Sequence, residues 1–297
     1  MSDAPEWFWQ AIDQKPASGT VEVEDSDINY LTWGIDADAD EPNTKPGILF
    51  VHGHNAHAHW WDFIAPAFLD KYQVAAVDLS GMGDSDHRDE YQRETWAKEI
   101  LTVADETKLP KNTVVVAHSF GGLMALRACN VAPERFSGLV LVDTGVRSPE
   151  EEEARDKDKQ VPRLARPKVY PTQEVAMSRF RLQPPQQCEN QYIVSHIARN
   201  SVEYDDEGWV WKFDEELNMR VKPIEGLKED LVGLSINVAL IYGELSESFS
   251  AQSAEHMKSL KPELEVIEMK DAQHHLFLDQ PLDFISKLSG VLDRWGS

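Results

Sequence analysis

TVVVAHSFGGLMALRA, residues 113–128, begins as a run of β-branched residues and ends in a helical pattern. Apolar runs of this kind suit a strand buried on both faces of a parallel sheet, and Ser119 stands between that strand and the helix. A sharp turn there needs small residues two before and two after the serine, and Ala117 and Gly121 supply them. The pattern predicts that the Ser119 hydroxyl stands above the sheet, near a helix N-terminus that favours negative charge. A serine that only caps the helix would give the same local pattern.

Strand-like runs alternate with helical patterns along most of the chain. The predicted strands are VEVED (21–25), INYLTW (28–33), GILFV (47–51), YQVAAVD (72–78), TVVVAH (113–118), GLVLVD (138–143), NVALIYG (237–243) and LEVIEM (264–269). The predicted helices cover about 60–70, 91–108, 121–131, 251–260 and 281–294. This alternation predicts an α/β fold with a mostly parallel eight-stranded sheet and helices on both faces. The first two runs are expected to form a hairpin at the sheet edge.

Residues 146–232 interrupt the alternation. They contain no buried-strand run, and they open with the charged stretch EEEEARDKDK (150–159). A connection of this length is too long for a loop, so we predict a helical cap, or lid, inserted into a core of residues 1–145 and 233–297.

Three aromatic side chains recur at period two in GWVWKFD (208–214). Trp209, Trp211 and Phe213 therefore fall on one side of an extended segment. They either pack the interior of the predicted cap or line a substrate pocket, in which case apolar or aromatic acyl groups would be preferred.

Composition limits the partners and the compartment. The 52 Asp and Glu residues outnumber the 29 Lys and Arg residues, and the net charge of −23 would repel nucleic acid and anionic membranes. Only two cysteines are present, and neither a targeting signal nor an apolar run long enough to span a bilayer is recognisable. The expectation is a cytoplasmic protein with a small-molecule partner, and a homo-oligomer is compatible with the sequence.

Three more segments carry residues typical of reactive sites. They are FVHGHNAHAHWWD (50–62), VDLSGMGDSD (77–86) and DAQHHLFLDQPLDF (271–284), and each follows a predicted strand. With the serine turn, their order and spacing resemble the α/β-hydrolase superfamily over about residues 20–145 and 235–294. The chain has Ala117 where the G-x-S-x-G elbow of that superfamily has glycine.

The resemblance implies a role for several residues. Ser119 would be the nucleophile and His274 the general base, with His275 a packed neighbour. The backbone N–H groups of Phe120 and His54 would form the oxyanion hole. Because relatives with dehalogenase or epoxide-hydrolase chemistry attack with a carboxylate, a serine at 119 argues against those activities.

The acid of the triad is the point where the chain departs from the common family pattern. Most relatives carry Asp three residues after the glycine that ends the seventh strand; here that glycine is Gly243 and the third residue is Ser246. Glu247 comes next and is one candidate. Asp143, at the end of the sixth strand and on the side of the sheet expected for Ser119, is the other and the preferred one.

The resulting hypothesis is a carboxylesterase-like serine hydrolase that cleaves a carboxylic ester, or a related lactone, amide or carbon–carbon bond, through an acyl-enzyme without a cofactor. One alternative is a metal-dependent hydrolase, because H-x-H spacing occurs twice in His52, His54, His57 and His59. The second zinc-ligand cluster that such a site needs is not recognisable, and His52 is expected to shape the turn beside the oxyanion hole. The other alternative is a non-catalytic small-molecule receptor on the same fold.

Overall fold

The computed structural model describes residues 4–35, 44–158 and 168–296. Within these residues the strands are β1 (Ala17–Glu22), β2 (Asp27–Trp33), β3 (Gly47–Val51), β4 (Gln73–Val77), β5 (Thr113–His118), β6 (Gly138–Val142), β7 (Val202–Asp205), β8 (Gly208–Trp211), β9 (Asn237–Gly243) and β10 (Glu265–Met269). The α-helices are α1 (Glu6–Ile12), α2 (Arg93–Glu106), α3 (Phe120–Val131), α4 (Pro149–Asp158), α5 (Gln173–Ser178), α6 (Gln191–Asn200), α7 (Leu217–Arg220), α8 (Leu227–Gly233), α9 (Ala251–Leu260), α10 (Leu276–Asp279) and α11 (Pro281–Trp295). None of the described helices is both long and apolar enough to cross a membrane.

Eight of the described strands form one twisted layer in the order β1-β2-β4-β3-β5-β6-β9-β10. The six strands from β4 to β10 in this order pair in parallel, whereas β2 is antiparallel to both β1 and β4. The predicted α/β sheet with an antiparallel edge hairpin is therefore confirmed. All the carboxyl ends of the parallel strands lie at one edge, which is where ligands bind in sheets of this type.

The sheet is covered on both faces, as its apolar strands require. Every residue of β3, β4, β5 and β6 is buried. Alternate residues point to opposite sides: Val115 packs in the cluster that contains Trp96 of α2 and Met124 of α3, whereas Val116 packs in the cluster that contains Phe284 of α11. The residues that directly follow β5 and β6, Ser119 and Asp143, are therefore carried by strands that are buried on both faces.

Two predicted elements differ from those observed. The first strand spans Ala17–Glu22 rather than 21–25, because Glu24 and Asp25 adopt left-handed backbone angles (φ 50° and 59°) that end a strand. The helix predicted at 60–70 is replaced by two short 3₁₀ helices, Ala58–Trp61 and Ala65–Phe68. Pro66 has no N–H to donate within a continuous helix, so the chain breaks there.

The insertion, residues 146–232, contains α4 to α8 in its described part, together with the antiparallel hairpin β7-β8. The hairpin is an addition to the helical cap predicted from the sequence. The period-two pattern at 208–214 marks its second strand, but the first strand has only one buried residue among four and carries no apolar alternation. Backbone bridges from Phe213 to Met82 and from Val221 to Tyr91 connect the insertion to the rest of the chain.

Candidate active site

Ser119 sits at a strained turn between β5 and α3. Its backbone angles (φ 50°, ψ −122°) are unusual for a residue with a side chain, and its N–H donates to the carbonyl of Val142 over 3.0 Å. A side chain at Gly121 would collide with the backbone carbonyl of His52, so only glycine allows this close approach. The tight strand–turn–helix expected from the sequence is present, and the serine hydroxyl faces a cavity.

The structure brings His274 and Asp143 to Ser119. His274 lies after β10 and Asp143 directly after β6, so three strands deliver the three side chains to one edge of the sheet. The Oδ2 atom of Asp143 is 2.7 Å from Nδ1 of His274, and Nε2 of His274 is 2.9 Å from Oγ of Ser119. With Nδ1 protonated, the imidazole donates to the carboxylate and accepts from the serine hydroxyl. That is the hydrogen-bonding order of a serine–histidine–aspartate triad.

The surroundings of Asp143 distinguish it from Glu247. Oδ1 of Asp143 accepts the Gly243 N–H over 2.9 Å, and Oδ2 accepts the Ser246 hydroxyl over 2.6 Å, while the residue itself is 2 % exposed. Glu247 is exposed and lines the cavity without a hydrogen bond to His274. Of the two candidate acids, the structure brings Asp143 to the histidine.

Phe120 and His54 lie beside Ser119, on two different segments. Phe120 is the first residue of α3, and His54 follows Gly53 in the turn after β3. A Cβ atom on Gly53 would lie 3.2 Å from Cβ of Ser119, which shows how closely this turn approaches the serine. Among the described residues, neither the Phe120 nor the His54 amide N–H has a hydrogen-bond acceptor, and both residues line the cavity with Ser119.

His52 holds the turn that carries His54. The Leu79 N–H donates to Nε2 of His52 over 3.0 Å, so the proton of this imidazole is on Nδ1, which donates to the Gly53 carbonyl over 2.7 Å. Burial lowers the pKa of His52, which keeps the ring neutral and preserves both bonds. His52 therefore has the turn-shaping role expected from the sequence.

The four histidines considered for a metal are separated by their partners. His54 bonds Asn218, His57 bonds Ser201 and His59 bonds Asp62, which also accepts from His196. No three of these four place ligand atoms close together; in the part of the chain that the structure describes, such a grouping occurs at His118, His274 and His275. The metal alternative built on the four histidines is therefore not supported, and three of them contact the insertion directly or through Asp62.

His118 and His275 enclose the back of His274. Nε2 of His118 donates to the His274 carbonyl over 3.1 Å, and ring centroids lie 4.7 Å (His118 to His274) and 4.8 Å (His274 to His275) apart. Burial, followed by the nearby His274, holds the pKa of both flanking imidazoles well below the usual range. His275 is thus a packed neighbour, as expected, and it contributes no charge beside His274.

A cavity of about 1160 Å³ opens at Ser119. Its apolar wall includes Leu123, Val146, Val221, Ile224, Leu227 and Phe249, and its charged residues include Arg147, Glu151, Lys222, Lys228 and Glu229. Several of these residues belong to the insertion. Sequence patterns did not point to them, because isolated apolar residues in short helices and loops look the same whether they face a pocket or a core.

Trp209, Trp211 and Phe213 do not line this cavity, which corrects their assignment to the substrate pocket. The Trp211 ring lies 5.8 Å from Tyr170 and stacks on Phe213 at 6.2 Å, measured between centroids. Phe213 in turn packs against the main hydrophobic core. The period-two aromatic side chains therefore pack against other rings and the core, which was the first of the two interpretations of this pattern.

Comparison with known proteins supports the same architecture. The chain is 26% identical over 271 residues to the esterase Rv0045c of Mycobacterium tuberculosis, covering 90% of this chain and 86% of that protein. The crystal structure of that esterase superposes with a TM-score of 0.73 at 23% identity, covering 99% of each chain. A pimeloyl-[acyl-carrier protein] methyl ester esterase of Aliivibrio fischeri is 24% identical over 251 residues, covering 83% of this chain and 93% of that enzyme.

The family model for the α/β-hydrolase fold matches residues 46–281, which include β3 to β10, the insertion and all three residues of the hydrogen-bonded chain. Given this match and the sheet order, the chain belongs to the α/β-hydrolase family.

Proposed function

We propose that this protein is a serine hydrolase that cleaves carboxylic esters through an acyl-enzyme. The observation that carries the proposal is the continuous hydrogen-bonded chain from Ser119 through His274 to Asp143, with the serine hydroxyl at the floor of a cavity. The two relatives named as esterases favour an ester over the lactone, amide and carbon–carbon bonds that the same groups could attack.

In the proposed mechanism, Oγ of Ser119 attacks the ester carbonyl while Nε2 of His274 takes the hydroxyl proton. The tetrahedral intermediate places its negative oxygen near the Phe120 and His54 amides, which have no other acceptor among the described residues. Asp143 stabilises the imidazolium. His274 then gives the proton to the leaving alkoxide, which departs as an alcohol. Water, deprotonated by His274, attacks the acyl-enzyme and releases the carboxylic acid and the free serine.

The apolar wall of the cavity indicates what kind of acyl group the site would accept. Leu123 on α3 lines the cavity together with Ser119, and Ile224 and Phe249 add further apolar surface. We infer that the acyl group is apolar and of medium to large size. The insertion supplies Val221 and Ile224 to this wall, which gives it the role of a substrate-selecting cap.

Labelling with a fluorophosphonate, followed by peptide mass spectrometry, tests the proposal. The probe should modify Ser119 in the wild-type chain and should not label Ser119→Ala. A panel of p-nitrophenyl esters of increasing acyl length then measures selectivity, with matched lactone and anilide substrates as competitors. Retained turnover of esters in EDTA is expected. Absence of labelling and of ester turnover, with ligands that only raise the melting temperature, would instead support a receptor.

A further inference from the structure

Two neighbouring backbone N–H groups set the direction in which the Ser246 hydroxyl points its hydrogen. Its Oγ accepts the N–H of Ser248 over 3.1 Å and the N–H of Phe249 over 3.3 Å. A hydroxyl has two acceptor sites and one hydrogen, so both acceptor sites are occupied. The hydrogen therefore points along the remaining direction, towards Oδ2 of Asp143 at 2.6 Å.

We propose that Ser246 is the positioning residue for Asp143 in the reaction described above, and this inference rests on that proposed function. Asp143 lies just beyond the end of β6 with a left-handed backbone (φ 50°), and its N–H donates to the carbonyl of Ile241 in β9 over 2.8 Å. This bond holds the backbone of Asp143 but does not fix the direction of its carboxylate. Three donors fix it instead: the Gly243 N–H on Oδ1, and the Ser246 hydroxyl and the His274 Nδ1–H on Oδ2. Ser246 and Gly243 hold the carboxylate in the orientation in which it meets the imidazole.

The same hydroxyl connects the acid to the wall of the cavity. Ser248 and Phe249, whose amides donate to Ser246, both line the cavity at Ser119. Ser246 therefore joins the substrate-facing loop and the acid through one oxygen atom. Its replacement by alanine would leave Asp143 with one donor fewer and two loop amides without their acceptor.

A double-mutant cycle tests this role, with kcat for a p-nitrophenyl ester measured for wild type, Ser246→Ala, Asp143→Asn and the double variant. Hydrogen bonds to charged groups are strong enough that Ser246→Ala should lower kcat by about 10- to 100-fold. In the Asp143→Asn background the same change should have an effect of about twofold or less, because Ser246 acts through the carboxylate that is already gone. Ser246→Thr, which keeps a hydroxyl, should recover most of the lost rate.

Ser85→Ala is the matched control. Ser85 is a buried serine whose hydroxyl likewise accepts a backbone N–H, that of Asn29, and donates to an oxygen, the carbonyl of Asp78, and it does not line the cavity. It should lower the melting temperature and leave kcat unchanged. An equal loss for Ser246→Ala in both backgrounds would overturn the positioning role, as would no loss in the wild-type background when Asp143→Asn is impaired. If Asp143→Asn also keeps full activity, the proposed triad itself is overturned.

Discussion

The carboxyl edge of the sheet and the insertion meet at the same cavity but are built differently. Strands β5 and β6 are buried along their whole length and lead directly into Ser119 and Asp143, whereas β7 of the insertion has one buried residue in four. The edge is held by parallel pairing with strands on both sides. The insertion joins the rest of the chain through two backbone bridges, polar contacts and buried apolar side chains such as Ile193, Ile197 and Leu217. Under the proposed function, the sheet edge would hold the reactive groups and the less regular insertion would select the substrate.

Ser119→Ala is the most severe test of this division. Removal of the hydroxyl should lower kcat for esters by about 10⁴- to 10⁶-fold, because members of a triad act as a unit. The fold should remain intact, since Ser119 is only partly buried and fills no core position. Assays of ester hydrolysis on pure protein measure the loss of kcat, and circular dichroism checks that the fold is intact. Near-normal ester turnover would place the chemistry elsewhere.

Two variants, Asp143→Asn and Glu247→Gln, test whether the acid of the triad lies at the sheet edge or in the loop after β9. The asparagine variant should lose about 10⁴-fold in kcat, because an amide favours the wrong tautomer of His274 and cannot stabilise the imidazolium. Glu247→Gln is the matched control at the exposed candidate and should change kcat by about threefold or less, as expected for a group that does not touch His274. The reverse ranking, at one pH and on folded proteins, would assign the acid to Glu247.

Two variants, Trp211→Ala and Leu123→Trp, distinguish residues that stabilise the insertion by packing from residues that select the substrate in the cavity. Trp211 is half-buried among aromatic rings, so its loss should reduce the free energy of unfolding by about 2–3 kcal/mol and leave the ranking of acyl lengths unchanged. Leu123→Trp should reduce kcat/KM for the longest esters about tenfold relative to the shortest, because it fills the wall beside Ser119. A changed ranking in Trp211→Ala would show that the insertion's aromatics do reach the substrate.

Stability should fall as the pH is lowered from 7 to 5. Burial holds the pKa of His57, His118 and His275 well below 6.5, so below that pH the unfolded chain binds protons that the folded chain does not. Each such histidine should cost about 1–2 kcal/mol across this range. His59 opposes this trend, because its pKa is raised: burial lowers the pKa, but the hydrogen bond to Asp62 outweighs the effect of burial.

Urea unfolding at pH 5, 6 and 7 measures how steeply the free energy of unfolding changes with pH. The variant His275→Phe is the control for the contribution of one imidazole to this slope. Phenylalanine keeps an aromatic ring between Trp60 and His118 and removes the titrating group, so the slope should become shallower. An unchanged slope would assign the effect to other groups.

The sequence could predict the sheet because local apolar patterns mark its strands, and the resemblance to the α/β-hydrolase superfamily indicated Ser119 and His274 as reactive residues. Apolar runs before Ser119 and Asp143 locate the strands, and parallel pairing then brings their ends together. The choice between Asp143 and Glu247 could not be settled in this way, because it depends on the path of the loop that presents the Ser246 hydroxyl. Most of the cavity wall was beyond prediction for a different reason. Apart from Leu123 on α3, its apolar residues lie in loops or in helices too short to show a periodicity, and the period-two aromatics are used for packing.

The short stretch from His54 to His57 connects the proposed oxyanion hole to the insertion. In the proposed mechanism the His54 amide binds the negative oxygen, while the side chains of His54, Asn55 and His57 bond Asn218, Gln183 and Ser201 of the insertion. A substitution that loosens the insertion from this stretch would therefore be expected to reduce stabilisation of the transition state as well as to change substrate selection.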